Sequence, residues 1–121
     1  MKEVKKLSLE RVFKALTSLG LSESDARVYM FLALKGPKKP DKIVDKLKIS
    51  NKQIIQSLKN LQNKGIIIAE LKNQNGFSAL PFEEALEALI KTKKKQTKKI
   101  QETKETLLLN LKTIKKNSTN S

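Results

Sequence analysis

Two short amphipathic segments separated by a tight turn, at residues 43–61, constrain the fold of this chain more than any other feature. In the first segment Ile43, Val44 and Leu47 recur at helical spacing. The second segment opens at Ser50, whose hydroxyl is well suited to cap a helix N-terminus. Since only residues 48–50 remain to reverse the chain, the pattern predicts a helix-turn-helix. Many small helical proteins contain such a pair, so the pattern alone is only moderately specific.

The residues before this pair predict two supporting helices. A helix at about residues 8–18 carries an apolar residue every three or four positions and is closed by Gly20. The next helix follows Ser22 and Asp25, which have capping-box spacing, and it ends at Gly36-Pro37. It is apolar on nearly all sides, so we expect it to be central. Its predicted inward face comprises Ala26, Tyr29, Met30, Ala33 and Leu34.

The helix predicted at residues 50–64 separates an apolar face from a polar one. Ile54, Leu58 and Leu61 should point inward, and no carboxylate occurs from Ser50 to Ile68. Amide side chains can pair with adenine, and lysine can reach guanine or a phosphate. The predicted base contacts are Asn51, Lys52, Gln53 and Gln56, and the predicted phosphate contacts are Ser50 and Lys59. The alternative is an ordinary solvated face.

A β-hairpin is predicted directly after this helix. Gly65 ends the helix, residues 66–71 are β-branched, and Asn75-Gly76 is a strong hairpin signal before a return strand at 77–80. A hairpin in this position is the wing of a winged helix. Its tip would contact the minor groove or a phosphate, or take no part in binding. The tip residues are Lys72, Asn73, Gln74 and Asn75.

The last predicted helix runs from Pro81 to about residue 116, without glycine or a second proline. Along this helix one row of residues, here called the seam, recurs at alternating spacings of four and three, as in a coiled coil. Its middle positions, Lys93, Thr97 and Lys104, are polar. The exposed leucines of a lone helix favour self-association. The predicted dimerisation residues are Leu86, Ile90, Ile100, Leu107, Leu111 and Ile114. The expected divisions are a DNA-binding domain at 1–80, this helix at 81–116 and a disordered tail at 117–121.

The charge of the chain favours an anionic partner. There are 26 Lys and Arg against 12 Asp and Glu, a formal net charge of +14. Nucleic acid is the first expectation and an acidic membrane surface the second, while basic charge also serves solubility. Residues 91–99 contain a block of lysines that either contacts phosphate or forms a solvated helix face.

Several classes of function are disfavoured by residues that the sequence lacks. Neither cysteine nor histidine is present, which excludes disulfides, zinc clusters of these ligands and histidine-based catalysis. Asp41 and Asp45 are interpreted as solvated acids on a helix rather than as a catalytic pair. We therefore expect neither enzymatic activity nor a cofactor. No apolar stretch approaches about 20 residues and the N-terminus lacks a signal core, so a cytoplasmic protein without a membrane partner is expected.

Three stretches resemble the N-terminal DNA-binding domain of the TrmB family of archaeal transcriptional regulators. They are LGLSESDARVYMFLALKGP, KISNKQIIQSLKNLQNKGIII and FSALPFEEALEALI, and the resemblance runs from about residue 16 to 90. It implies a winged helix-turn-helix, dimeric binding to operator DNA and, usually, repression. MarR-like regulators share this architecture.

The chain also departs from the family pattern. Members commonly carry a large effector-binding domain that recognises sugars, which does not follow the long helix here, so no small-molecule effector is expected. Ile55 stands where an aromatic residue is common, and Lys72 is the one basic residue of the wing. Lys48 occupies a turn position that is often glycine, where a left-handed conformation would cost about 1 kcal/mol.

The sequence thus predicts a mainly α protein with a small β-hairpin (α+β), a winged helix-turn-helix followed by a long coiled-coil-type helix. The predicted function is that of a homodimeric, sequence-specific regulator of transcription that binds double-stranded DNA, acting as a repressor. Two alternatives remain open. One is a protein–protein docking module of the transcription machinery, and the other is a sequence-indifferent architectural DNA-binding protein.

Overall fold

The computed structural model describes residues 2–70 and 76–119, with side chains for 8–70 and 76–116. The chain forms two compact units, residues 1–90 and 91–121. Five helices and one hairpin confirm the predicted winged helix-turn-helix order. The elements are α1 (Lys2–Ser18), α2 (Glu23–Lys35), α3 (Pro40–Leu47), α4 (Asn51–Asn63), β1 (Ile67–Glu70), β2 (Gly76–Ala79) and α5 (Phe82–Thr119).

Helix α2 is central, as predicted, because α1, α3, α4 and β2 all pack against it. Its buried apolar face, however, consists of Ala26, Val28, Tyr29 and Leu32. The predicted inward position of Leu34 is wrong, since this side chain is 56% exposed, and Ala33 is exposed as well. A helix that is apolar on nearly all sides does not reveal its buried stripe by periodicity. Which side of α2 is buried depends on the elements that pack against it.

Helix α2 begins and ends, and helix α3 begins, at the capping residues that the sequence predicted. The Ser22 hydroxyl accepts a hydrogen bond from the Asp25 backbone N–H at 3.0 Å. Gly36 ends α2 with a φ of 85°, which favours glycine, and Pro40 begins α3. Capping-box spacing would direct the Asp25 carboxylate back to the start of α2. It accepts instead from Asn60 Nδ2 of α4, at 3.5 Å.

The wing pairs β1 with β2 antiparallel, from Ile67 opposite Ala79 to Glu70 opposite Gly76. Gly76 was predicted in the turn but lies in β2, where it is buried. The predicted contacts at the tip, Lys72, Asn73, Gln74 and Asn75, lie outside the described residues.

One backbone pairing of the wing was not predicted. Lys38, in the linker between α2 and α3, donates its N–H to the Phe77 carbonyl at 3.0 Å and accepts from the Phe77 N–H at 2.9 Å. The linker sequence GPKKP carries no strand signal, because the prolines that flank this residue disfavour a strand. The pairing ties the linker to the second strand of the wing.

The end of β2 is held to α2 by one buried hydroxyl. Tyr29 is 1% exposed, and its hydroxyl donates to the Leu80 carbonyl at 2.6 Å. Burial disfavours the charged phenolate, and it raises the pKa of Tyr29 from 10.0 to about 12. The folded state therefore favours the neutral phenol that this hydrogen bond requires.

We expect the contribution of the Tyr29 hydroxyl to stability to disappear in strong alkali. Because the pKa is raised on folding, the contribution is complete below pH 10.0 and is lost as the pH rises to about 12. Tyr29→Phe should lower the free energy of unfolding by about 1–2 kcal/mol at neutral pH. The two proteins differ only in this hydroxyl, so their urea unfolding free energies should converge with rising pH. A constant difference between them over this range would contradict the assignment.

Helix α5 contributes its first turns to the first unit. Ala85 and Leu89 are fully buried there, with Phe82 and Ala88 partly buried beside them. The helix ends at Thr119 rather than near residue 116, since no glycine or proline interrupts it. Side chains 93–116 are all exposed. Among the described residues, no helix is long and apolar enough to span a membrane.

Candidate nucleic-acid interface

The turn of the helix-turn-helix fixes where α4 begins. Lys48 adopts the left-handed conformation, with φ 56° and ψ 39°, and its N–H donates to the Val44 carbonyl at 2.9 Å. This conformation costs about 1 kcal/mol in a residue with a Cβ. Two residues later the Ser50 hydroxyl accepts from the Gln53 N–H at 3.2 Å and caps α4.

The core fixes the rotation of α4 about its axis. Ile54, Leu58 and Leu61 are buried, as their spacing predicted, and Ile49 packs beside them. Ser57 is buried too, at 2% exposure, although its polarity gave no signal of this. Away from this buried stripe, eight side chains of α4 are exposed to solvent. These are Asn51, Lys52, Gln53, Ile55, Gln56, Lys59, Gln62 and Asn63.

Two amides of the exposed face already make hydrogen bonds within the protein. Gln53 Nε2 donates to Ser24 Oγ of α2 at 2.7 Å, and Gln56 Nε2 donates to Asn60 Oδ1 at 3.1 Å. Each glutamine keeps a second N–H and its carbonyl oxygen, so neither bond prevents a bidentate contact with a base. The Gln53 bond directs its side chain toward the first turn of α2. Asn60 has a different role, since it is half-buried and directed at Asp25.

The electrostatics of this face suit an anion. Lys52 and Lys59 are exposed on it, and α4 contains no acidic residue. The N-terminus of a helix carries partial positive charge, which adds to the attraction near Ser50 and Asn51. The carboxylate that α4 contacts, that of Asp25, is 3% exposed and lies on the inner side of the helix. All six contact residues predicted on α4 or at its cap are exposed.

The family model described as "Sugar-specific transcriptional regulator TrmB" matches residues 16–83, more than half of the chain. The chain belongs to the TrmB family. The match begins in α1 and ends in the first turn of α5, so it includes the helix-turn-helix and the wing. No match was found among the curated proteins. Membership in a family of transcriptional regulators argues for a regulator rather than an enzyme.

Two solved structures resemble this TrmB-family chain in fold. TrmBL2, described as an archaeal chromatin protein with a novel mode of DNA binding, is 20% identical with a TM-score of 0.70. The similarity covers 84% of this chain and 40% of TrmBL2, so the chain spans less than half of that protein. The MarR-family regulator SP03579 is 14% identical with a TM-score of 0.53, covering 85% of this chain and 72% of that one.

Proposed function

We propose that the chain is a homodimeric transcriptional regulator that binds duplex DNA sequence-specifically and represses by occupying its operator. The observation that carries this proposal is the outer face of α4, which is polar, free of acidic residues and held outward by a buried inner face. Family membership supports the same conclusion. The proposal includes no small-molecule effector.

Helix α4 would be the recognition helix, the helix that enters the major groove. This groove is about 12 Å wide and admits an α-helix of about 10–12 Å diameter. We assign base contacts to Asn51, Lys52, Gln53 and Gln56, and phosphate contacts to Ser50 and Lys59. Amides placed in the first two turns match the way that helix-turn-helix proteins read bases. The wing residues Lys72, Asn73, Gln74 and Asn75 would contact the minor groove or a phosphate.

Helix α5 would join two protomers. Ile100, Leu107 and Ile114 are 69%, 62% and 62% exposed, and Leu111 is 49% exposed. Together with Leu86 and Ile90 they continue one heptad seam, whose burial against a second copy would remove apolar surface from water. We accordingly assign residues 1–80 to DNA binding and residues 81–116 to dimerisation, whereas the tail predicted from residue 117 begins inside α5, which runs to Thr119. Two recognition helices would then read half-sites about one helical turn apart.

Alanine variants on α4 test this function. Asn51→Ala and Gln56→Ala should each weaken binding to a duplex selected from a random-sequence pool by about 1–3 kcal/mol, and relax base preference at one position. Asn63→Ala is the matched control, because it removes an exposed amide from the last turn of α4 and should change little. Fluorescence anisotropy at several salt concentrations measures these affinities. Failure of the wild-type protein to bind any duplex at low salt would refute the proposal.

A sequence-indifferent architectural role is the second candidate. The net charge of +14 favours it, and so does the fold shared with a protein described as a chromatin protein. In that case random DNA should compete as well as the selected duplex, and Asn51→Ala should leave the preference unchanged. Competition assays with both DNAs therefore separate the two functions.

A further inference from the structure

A groove between α2 and α3 gathers positive charge outside the surface assigned to base reading. Its lining comprises Phe31 and Lys35 of α2, Lys38 of the linker, and Lys42 and Lys46 of α3. Phe31 and Lys38 are half-buried, while the other three lysines are exposed. None of these residues belongs to α4 or to the tip of the wing.

Among the side chains that the structure describes, the four ammonium groups have no acidic partner. No carboxylate of the described residues forms an ion pair with any of these lysines. Asp41 and Asp45 each precede a groove lysine by one position and are therefore rotated by about 100° around α3. Neither carboxylate lines the groove. Four like charges thus share one concave surface, an arrangement that an anion would stabilise.

The groove continues toward the first turn of the recognition helix. On α2, positions 24, 27, 31 and 35 follow each other at helical spacing along one side. Ser24 accepts from Gln53 of α4, and Arg27 donates from its guanidinium to the Leu47 carbonyl of α3 at 3.1 Å. The exposed Arg27 therefore lies between α4 and the lysines. We call the surface formed by Arg27, Phe31, Lys35, Lys38, Lys42 and Lys46 the cationic track.

We propose that the cationic track holds the sugar–phosphate backbone of bound DNA, beyond the bases that α4 reads. This inference rests on the proposed DNA-binding function. Lys42 and Lys46 are one helical turn apart, a rise of about 6 Å along α3, so the cations form a row suited to an extended polyanion. Four of the five side chains that line the groove are lysines, so it offers an occupant several positive charges and no side-chain hydrogen-bond acceptor. The extended backbone is therefore the better occupant.

Lysine footprinting on the wild-type protein tests the proposal directly. The rate of acetylation of each lysine is measured by mass spectrometry, with and without a random-sequence duplex of about 30 base pairs at low salt. Lys35, Lys38, Lys42 and Lys46 should be protected about fivefold or more by electrostatic contact. Protection of Lys52 and Lys59 without protection of the track would overturn this inference while leaving the proposed function intact. Absence of DNA binding would overturn both.

A charge-neutralising pair provides the second measurement. Lys42→Gln/Lys46→Gln should reduce the slope of log affinity against log salt by about 4 for a bound dimer, since each of the four lost phosphate contacts contributes about 0.9. The loss of affinity should be the same for selected and random duplexes, because phosphates carry no sequence information. Lys112→Gln/Lys116→Gln has the same spacing and charge change on α5 and should leave the slope unchanged. Equal slopes for the two double variants would overturn the inference.

Discussion

Replacing Leu107 and Leu111 with aspartate is expected to convert the dimer to monomers and to lower DNA affinity by about 100-fold or more. Both leucines are exposed in the single chain, at 62% and 49%. They lie four residues apart on the predicted seam. Two carboxylates in a helix–helix interface would have to be desolvated without partners, which is far more costly than leaving them in water. Loss of the second protomer then removes the second half-site contact.

The control for this substitution adds the same charge beside the seam. Thr106→Asp/Asn110→Asp introduces two carboxylates at the same spacing, rotated by about 100° from the leucines. We expect this variant to remain dimeric and to bind DNA within a few-fold of wild type. Light scattering gives the mass of each protein and anisotropy gives its affinity. A monomeric wild type at tens of micromolar would contradict the assignment of α5.

Two adjacent isoleucines of α4 should differ greatly in their contribution to stability. Ile54 is fully buried and Ile55 is 43% exposed. Ile54→Ala should lower the free energy of unfolding by about 2–5 kcal/mol, because it removes buried methyl groups and leaves a cavity. Ile55→Ala should change it by about 0.5 kcal/mol or less, since the side chain faces solvent. Urea unfolding followed by circular dichroism measures both values.

This pair tests the rotation of the recognition helix itself. If the two variants lost similar stability, α4 would bury a different stripe. The polar side chains assigned to DNA would then no longer share one exposed face. The isoleucines are neighbours of the same type on one helix, so the comparison holds helix propensity and side-chain volume constant.

The features predicted best from the sequence are those that depend on local chemistry, such as helix ends. Ser22, Gly36, Pro40 and Ser50 mark helix ends where the structure has them, because capping and backbone restriction act within a few residues. The inward residues of α4 followed from spacing alone, since that helix has a clear apolar stripe.

Features that depend on packing between distant segments could not be predicted. Leu34 is exposed because the neighbours of α2 pack elsewhere on an almost wholly apolar helix. The pairing of Lys38 with Phe77 and the bond from Asn60 to Asp25 join residues 39 and 35 positions apart. At the start of α5, Ala85 and Leu89 enter the core beside the predicted seam positions Leu86 and Ile90.

The cationic track was missed for a similar reason. Its lysines come from α2, a linker and α3, so their spacings of three and four residues cross the helix break at Gly36-Pro37 and predict no shared helical face. Only the packing of α3 against α2 brings them onto one surface. The lysine block at residues 91–99 is more conspicuous in the sequence, and its lysines lie exposed on a single helix, α5.

Hydroxyl-radical footprinting of a duplex selected from a random pool tests the central claim most directly. The protein should protect two half-sites whose centres lie about one helical turn apart, about 10 base pairs. Protection should weaken at specific bases in Asn51→Ala and should collapse in Leu107→Asp/Leu111→Asp. A single protected half-site, or uniform protection that does not depend on sequence, would contradict a dimer that reads DNA through α4.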